Sequence, residues 1–146
     1  MPSNRDKLPM AASAASRRPA SGRRDPVAVV QDVHGLLAWL LARVQHFPRD
    51  IKQTLGHRLI ETGLDLLEAL VEAAYLPRER RVAALDGANR LVERLRHLCR
   101  LAHTAGALPH GSYGHSAELL DNIGRQVGGW RRAELPGRAA PAPVGA

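Results

Sequence analysis

The run PRDIKQTLGHRLIETGLDLLEALVEAAYLP, residues 48–77, decides how the rest of the chain is read. It begins and ends on proline, which breaks a helix from inside but suits its first position. Between the two prolines, Ile51, Leu55, Leu59, Leu66, Leu70 and Ala73 or Ala74 recur at three- and four-residue spacing. Residues so spaced share one helical face, so Pro48 opens an amphipathic helix that runs to about Leu76 and Pro77 ends it.

The same logic extends in both directions. Upstream, Asp25 and Pro26 make a helix start, a capping oxygen followed by a proline at the first turn. The helix they open carries Val29, Val33, Leu36, Leu37, Leu40, Val44 and Phe47 on one face and reaches about His46. Downstream, a third helix spans about Arg78 to Ala105, with Val82, Leu85, Val92, Leu95, Cys99 and Ala102 inward. Gly106 to Gly111 reads as a loop, Ser112 as the cap of a fourth helix, and Tyr113, Leu120, Ile123, Val127 and Trp130 as its stripe to about Ala133. Four such helices joined by short turns predict an all-α, antiparallel four-helix bundle over residues 26–134. Residues 1–25, rich in Pro, Ser, Ala and Arg without an apolar period, read as a disordered basic leader, and 135–146 as a disordered Ala/Pro tail.

Composition agrees. Apolar residues make up 45% of the chain, mostly Leu, Ala and Val, and strand-like alternation is missing. The longest uninterrupted apolar run, Leu36 to Ala42, is too short to span a membrane, and the leader lacks a continuous secretory apolar segment, so a cytoplasmic protein without a membrane partner is expected. Cys99 is the single cysteine and falls on an apolar stripe, as a small core residue would. None of the seven histidines, His34, His46, His57, His97, His103, His110 and His115, pairs at the three- or four-residue spacing that two metal ligands on one helix need. There is also no Gly-Lys-Ser/Thr phosphate loop and no Gly-x-Ser-x-Gly elbow. The expectation is a protein with no cofactor and no catalysis of its own.

Charge is the informative feature. The net charge is +7, and the leader holds six of the cations (Arg5, Lys7, Arg17, Arg18, Arg23, Arg24) against Asp6 and Asp25. Helix two carries more carboxylates than cations, with Asp65, Glu68 and Glu72 near one face, whereas helix three is strongly cationic. At about 100° per residue, Arg90, Arg94 and His97 occupy one flank of helix three's polar face, and Arg96 and Arg100 the other, with Glu93 between. Arg78, Arg80 and Arg81 crowd its first turn, where the helix dipole disfavours cations, and so point to an anionic partner. With few aromatics for stacking, a bound nucleic acid would be held by phosphate contact and shape. In helix four, Gly124 and Gly128 lie four residues apart, and their cost in a helix, about 1 kcal/mol each relative to Ala, suggests close packing against a neighbouring helix or subunit.

Several ordered segments resemble a known family. They are Phe47-Pro48-Arg49; Leu55-Gly56-His57-Arg58; Leu64 to Glu68 followed by Glu72 to Tyr75; Ala88 and Asn89; Leu95, Arg96, Leu101 and Ala102; and Ile123-Gly124-Arg125 with Gly128-Gly129-Trp130. Over about residues 35–132 the chain is similar to the accessory variability determinant proteins of diversity-generating retroelements. Those proteins sit within a wider group of small four-helix proteins first noticed in intervening sequences of 23S rRNA genes. The resemblance implies a homopentameric barrel that binds a reverse transcriptase and its template RNA (or DNA) and supports mutagenic cDNA synthesis, without itself catalysing it. Charge clustering and these motifs together nominate Arg58, Arg78, Arg81, Arg90, Arg94, Arg96, Arg100 and Arg125 for nucleic-acid or polymerase contact, and Gly124, Gly128 and Trp130 for subunit packing. The alternative is a helical scaffold of the rRNA-insertion type with no retroelement role.

Overall fold

Pro26, Pro48, Pro77 and Pro109 each stand at the threshold of a helix, either as its first residue or just before it. The computed structural model describes residues 26–136, so the predicted leader with Asp25, and residues 137–146 of the predicted tail, lie outside the described residues. Helix α1 is Pro26–Val44. Helix α2 runs without a break over 49–75, as Arg49–Ile51, a π-helical turn at Lys52–Gly56, and His57–Tyr75. Helix α3 is Arg78–Thr104 and α4 is His110–Glu134. Among the described residues there is no strand.

Each helix packs on its sequence neighbours, and α1 closes the ring against α4. The interior is aliphatic: Leu36, Leu40, Leu59, Leu66, Leu70, Leu85, Leu95, Leu120 and Ile123 have almost no exposed surface. Burying one such side chain is worth about 1.5–3 kcal/mol, so these stripes supply the main force holding the helices together. Val29, Val33, Val92, Val127 and Trp130 complete the same core. Cys99 is buried within it, and burial pushes its thiol pKa up, partly offset by a hydrogen bond with Ser116. One polar clasp joins α1 to α4, where Asp32 accepts hydrogen bonds from Asn122 (3.0 Å) and Gln126 (2.5 Å).

The fold departs from the sequence reading in three places. Helix α4 starts at His110, ahead of Ser112, and Ser112 makes no cap. The turn before it is tighter than a six-residue loop: Gly106 adopts φ +79°, and the amides of Ala107 and Leu108 both return to Ala102 O. That leaves Pro109 at the helix threshold, where its carbonyl receives the Tyr113 amide at 2.8 Å. The second departure is the π turn. There the His57 amide reaches back five residues to Lys52 O, and the Thr54 hydroxyl donates to Asp50 O at 2.9 Å. The third concerns α1: its 19 residues, with a mean hydropathy of 1.4 over an 18-residue window, make it long and apolar enough, by length and composition alone, to cross a membrane. In this fold α1's apolar stripe faces the bundle core instead.

Helices α1 and α2 approach closely at two glycines of α2. A Cβ on Gly56 would lie 2.7 Å from Val44 Cγ1, and one on Gly63 would lie 2.6 Å from Leu37 Cδ2. Gly35, on the exposed side of α1, has nothing within 4 Å of an added Cβ. Gly56→Ala is therefore expected to destabilise by about 1–3 kcal/mol, because β-branched Val44 cannot swing aside. Gly35→Ala should stabilise by about 0.5–1 kcal/mol. Urea midpoints check the pair, and equal effects would contradict this packing. The Cys99 thiol should react with a disulfide reagent slowly in the native protein and rapidly in denaturant. Because its native pKa is raised, the unfolded thiol ionises first, so stability should fall as pH climbs past about 8.5. Cys99→Ala should flatten that part of the pH profile in a melting series.

Candidate nucleic-acid interface

The arginines nominated from sequence fall into two groups. Three are held by carboxylates of the same chain. Arg78 and Arg81 both reach Glu134 near the end of α4, at 3.4 and 3.3 Å. Arg78 also donates to Ala133 O, and Arg81 Nε donates to Leu76 O at 2.9 Å. Trp130 Nε1 donates to the same Glu134 carboxylate. The crowding of cations in the first turn of α3 thus has an internal explanation: they close the end of the bundle over α4's last turn. Arg96 is the third, bridging from α3 to Asp121 on α4. Its Nε lies 3.2 Å from Glu93 Oε1 but off the hydrogen-bond direction, so that contact is electrostatic and the buried N–H has no acceptor.

The other five are uncommitted. Arg58, Arg90, Arg94, Arg100 and Arg125 are exposed and have no carboxylate partner among the described residues. Arg90, Arg94 and Arg100 project from the outer side of α3. Arg125 lines a groove of about 380 Å³ between α3 and α4, together with Asn89, Arg96, Asp121 and Gly124. Arg58 stands apart on α2. Unpaired guanidinium groups on a rigid helix can take phosphate oxygens bidentately without first breaking an ion pair.

The packing residues also separate. Trp130 is 4% exposed and serves the chain's own core. At Gly124 the close approach is internal: a Cβ there would meet Arg96 Nη2 at 2.9 Å and Val92 Cγ1 at 3.6 Å. Gly128 has open space where its Cβ would be. Of the seven histidines, His103 stacks on Tyr113 (centroids 4.7 Å apart, 5° between planes) and contacts Leu108 O at 2.9 Å, which fastens the α3–α4 turn. Among the described residues, no three His, Cys, Asp or Glu side chains gather in a way that could hold a metal ion.

Sequence reasoning passed over two kinds of feature. The Asp32 clasp and the Arg131–Asp86 pair join residues far apart in the chain, and no local pattern reveals them. The second is a groove at the α1–α2 turn, lined on its rim by Arg49, Lys52 and His57. Its signal was present: Arg49 opens a helix, where a cation opposes the dipole, as Arg78 does in α3.

Arg78→Ala with Arg81→Ala is expected to lower stability by about 1–3 kcal/mol, since Glu134 is then left poorly paired beside buried Trp130. A lowered urea midpoint, with affinity for a single-stranded RNA unchanged, checks this.

Comparison with known proteins adds the family. No curated protein matches the chain. The profile of the bAvd-like family matches residues 27–134, which is nearly the whole four-helix bundle. The chain belongs to the bAvd-like family.

Proposed function

We propose that this protein is the non-catalytic accessory subunit of a diversity-generating retroelement, binding the reverse transcriptase and template RNA to support mutagenic cDNA synthesis. Family membership supplies the setting. The observation that carries the reading is the division among the arginines. Where a cation serves the fold, the fold provides its carboxylate, as for Arg78, Arg81 and Arg96. Arg90, Arg94 and Arg100 on α3 and Arg125 on α4 have none among the described residues, and all four are exposed. Four uncommitted guanidinium groups suit the sugar-phosphate backbone of RNA, read by charge and shape. Catalysis belongs to the polymerase, and the accessory protein works as a cytoplasmic homopentamer that holds polymerase and template together.

Replacing Arg90, Arg94, Arg100 and Arg125 with Ala is expected to reduce the slope of log affinity against log salt for a single-stranded RNA by roughly 3, about 0.7 for each phosphate no longer neutralised. An unchanged slope would reject this surface. Co-purification with the reverse transcriptase encoded beside the gene tests the partner, and a native mass near five times the 15.9 kDa chain tests the assembly. If the protein neither retains the polymerase nor binds RNA at low salt, the helical-scaffold reading replaces this one.

A further inference from the structure

The turn between α1 and α2 carries a groove of about 760 Å³ that the reading above does not use. Its floor is apolar, formed by Leu41, Val44, Phe47 and Ile60. Leu41 is 51% exposed there, unusual for a leucine at a helix–helix seam. Its rim is cationic, with Arg49, Lys52 and His57 on successive turns of α2. Arg49 and Lys52 have no carboxylate partner among the described residues, and His57 has only Glu61, at 3.9 Å. The shape depends on local structure. Gly56 lets Val44 close the floor, and the π turn at Lys52–Gly56 widens the helix at the point where the rim cations emerge. Single π turns inside α-helices recur at functional sites.

We infer that this groove binds an acidic amphipathic segment of a partner protein, with an aliphatic side chain seated on Leu41 and Ile60 and carboxylates on Arg49 and Lys52. Three features select that ligand. The floor rewards a buried hydrocarbon anchor, which a sugar-phosphate backbone does not have. Phe47 is only 5% exposed, so no ring is available to stack a nucleic-acid base. The rim cations stand at the amino end of α2, where the helix dipole also favours a carboxylate. The charge pattern further limits where the segment lies. Beyond Ile60, α2 exposes Leu64 and Val71, but there the neighbours are Asp65, Glu68 and Glu72, which repel an acidic ligand. The ligand is therefore confined to the α1–α2 end of the bundle, on a helix other than the one that carries Arg90, Arg94 and Arg100.

The test uses the full chain and a fluorescein-labelled synthetic helical peptide with leucines on one face flanked by glutamates, followed by anisotropy at physiological salt. Saturable binding is expected, weakened about tenfold or more by Arg49→Glu with Lys52→Glu, and comparably by Leu41→Ser. The Arg90→Ala, Arg94→Ala, Arg100→Ala variant should bind the peptide normally. All substituted positions are exposed, and unchanged circular dichroism and urea midpoints confirm folding. Three results overturn the inference. One is equal binding of a scrambled peptide whose leucines do not share a face. Another is a larger loss of RNA affinity from the Arg49/Lys52 reversal than from the α3 variant. The third is dissociation of a native assembly by that reversal, which would mean that a second copy fills the groove.

Discussion

The bundle exists because four helices can bury their leucine and valine stripes only against one another. That single requirement leaves no room in the interior for charge. Thr62 and Ser116 are the buried polar residues among those described, and each turns its hydroxyl back onto its own helix, to Arg58 O and Tyr113 O. Each arginine of the bundle must therefore find a place on the outside, either against a carboxylate or in water. Both outcomes occur, and the difference between them bears on function. A guanidinium held between α3 and α4 has already lost part of its hydration and its freedom to reorient. One standing free on α3 keeps both, and gives them up only when an external anion takes their place.

The stripes were legible from spacing because leucine at three- and four-residue intervals has no other stable use in a chain this poor in aromatics. Leu59, Leu66 and Leu70, and Leu85, Val92 and Leu95, all lie in the core where their periodicity places them. Proline marked the helix starts for an equally local reason. What spacing could not reveal was backbone hydrogen bonding that departs from the regular four-residue helical pattern. The π turn is one case: Leu55, assigned to the stripe, is only half-buried, because the extra residue in the turn shifts the phase between Ile51 and Leu59. The start of α4 is another, since Ser112 is a sound cap in isolation and loses to a turn that Gly106 and Ala102 have already closed.

The candidate site shows the same division more sharply. Clustering singled out the cationic helix but could not separate Arg78 and Arg81, bound to Glu134, from Arg90 and Arg94, which have no carboxylate partner among the described residues. Glu134 lies more than fifty residues away in sequence. A first-turn arginine therefore signals an anion without saying whether that anion is internal or external. The glycines of α4 carry a similar ambiguity. Gly124 makes room for Arg96 of its own chain, whereas Gly128, one turn on, has no described residue beyond its own helix backbone within 4 Å of where its Cβ would be.

Two cationic surfaces result, and their chemistry differs because their floors differ. On α3 the arginines rise from a polar helix face beside a small, mixed groove, so attraction is long-ranged, tolerant of sequence and weakened by salt. At the α1–α2 turn the cations rim an apolar floor, and part of any binding there comes from hydrocarbon leaving water, which salt does not screen. A protein that must hold a polyanion and a protein partner together gains from keeping these two kinds of attraction on separate helices. With the two ligands proposed above, neither would compete for the other's binding groups, and a change in ionic strength would loosen one more than the other.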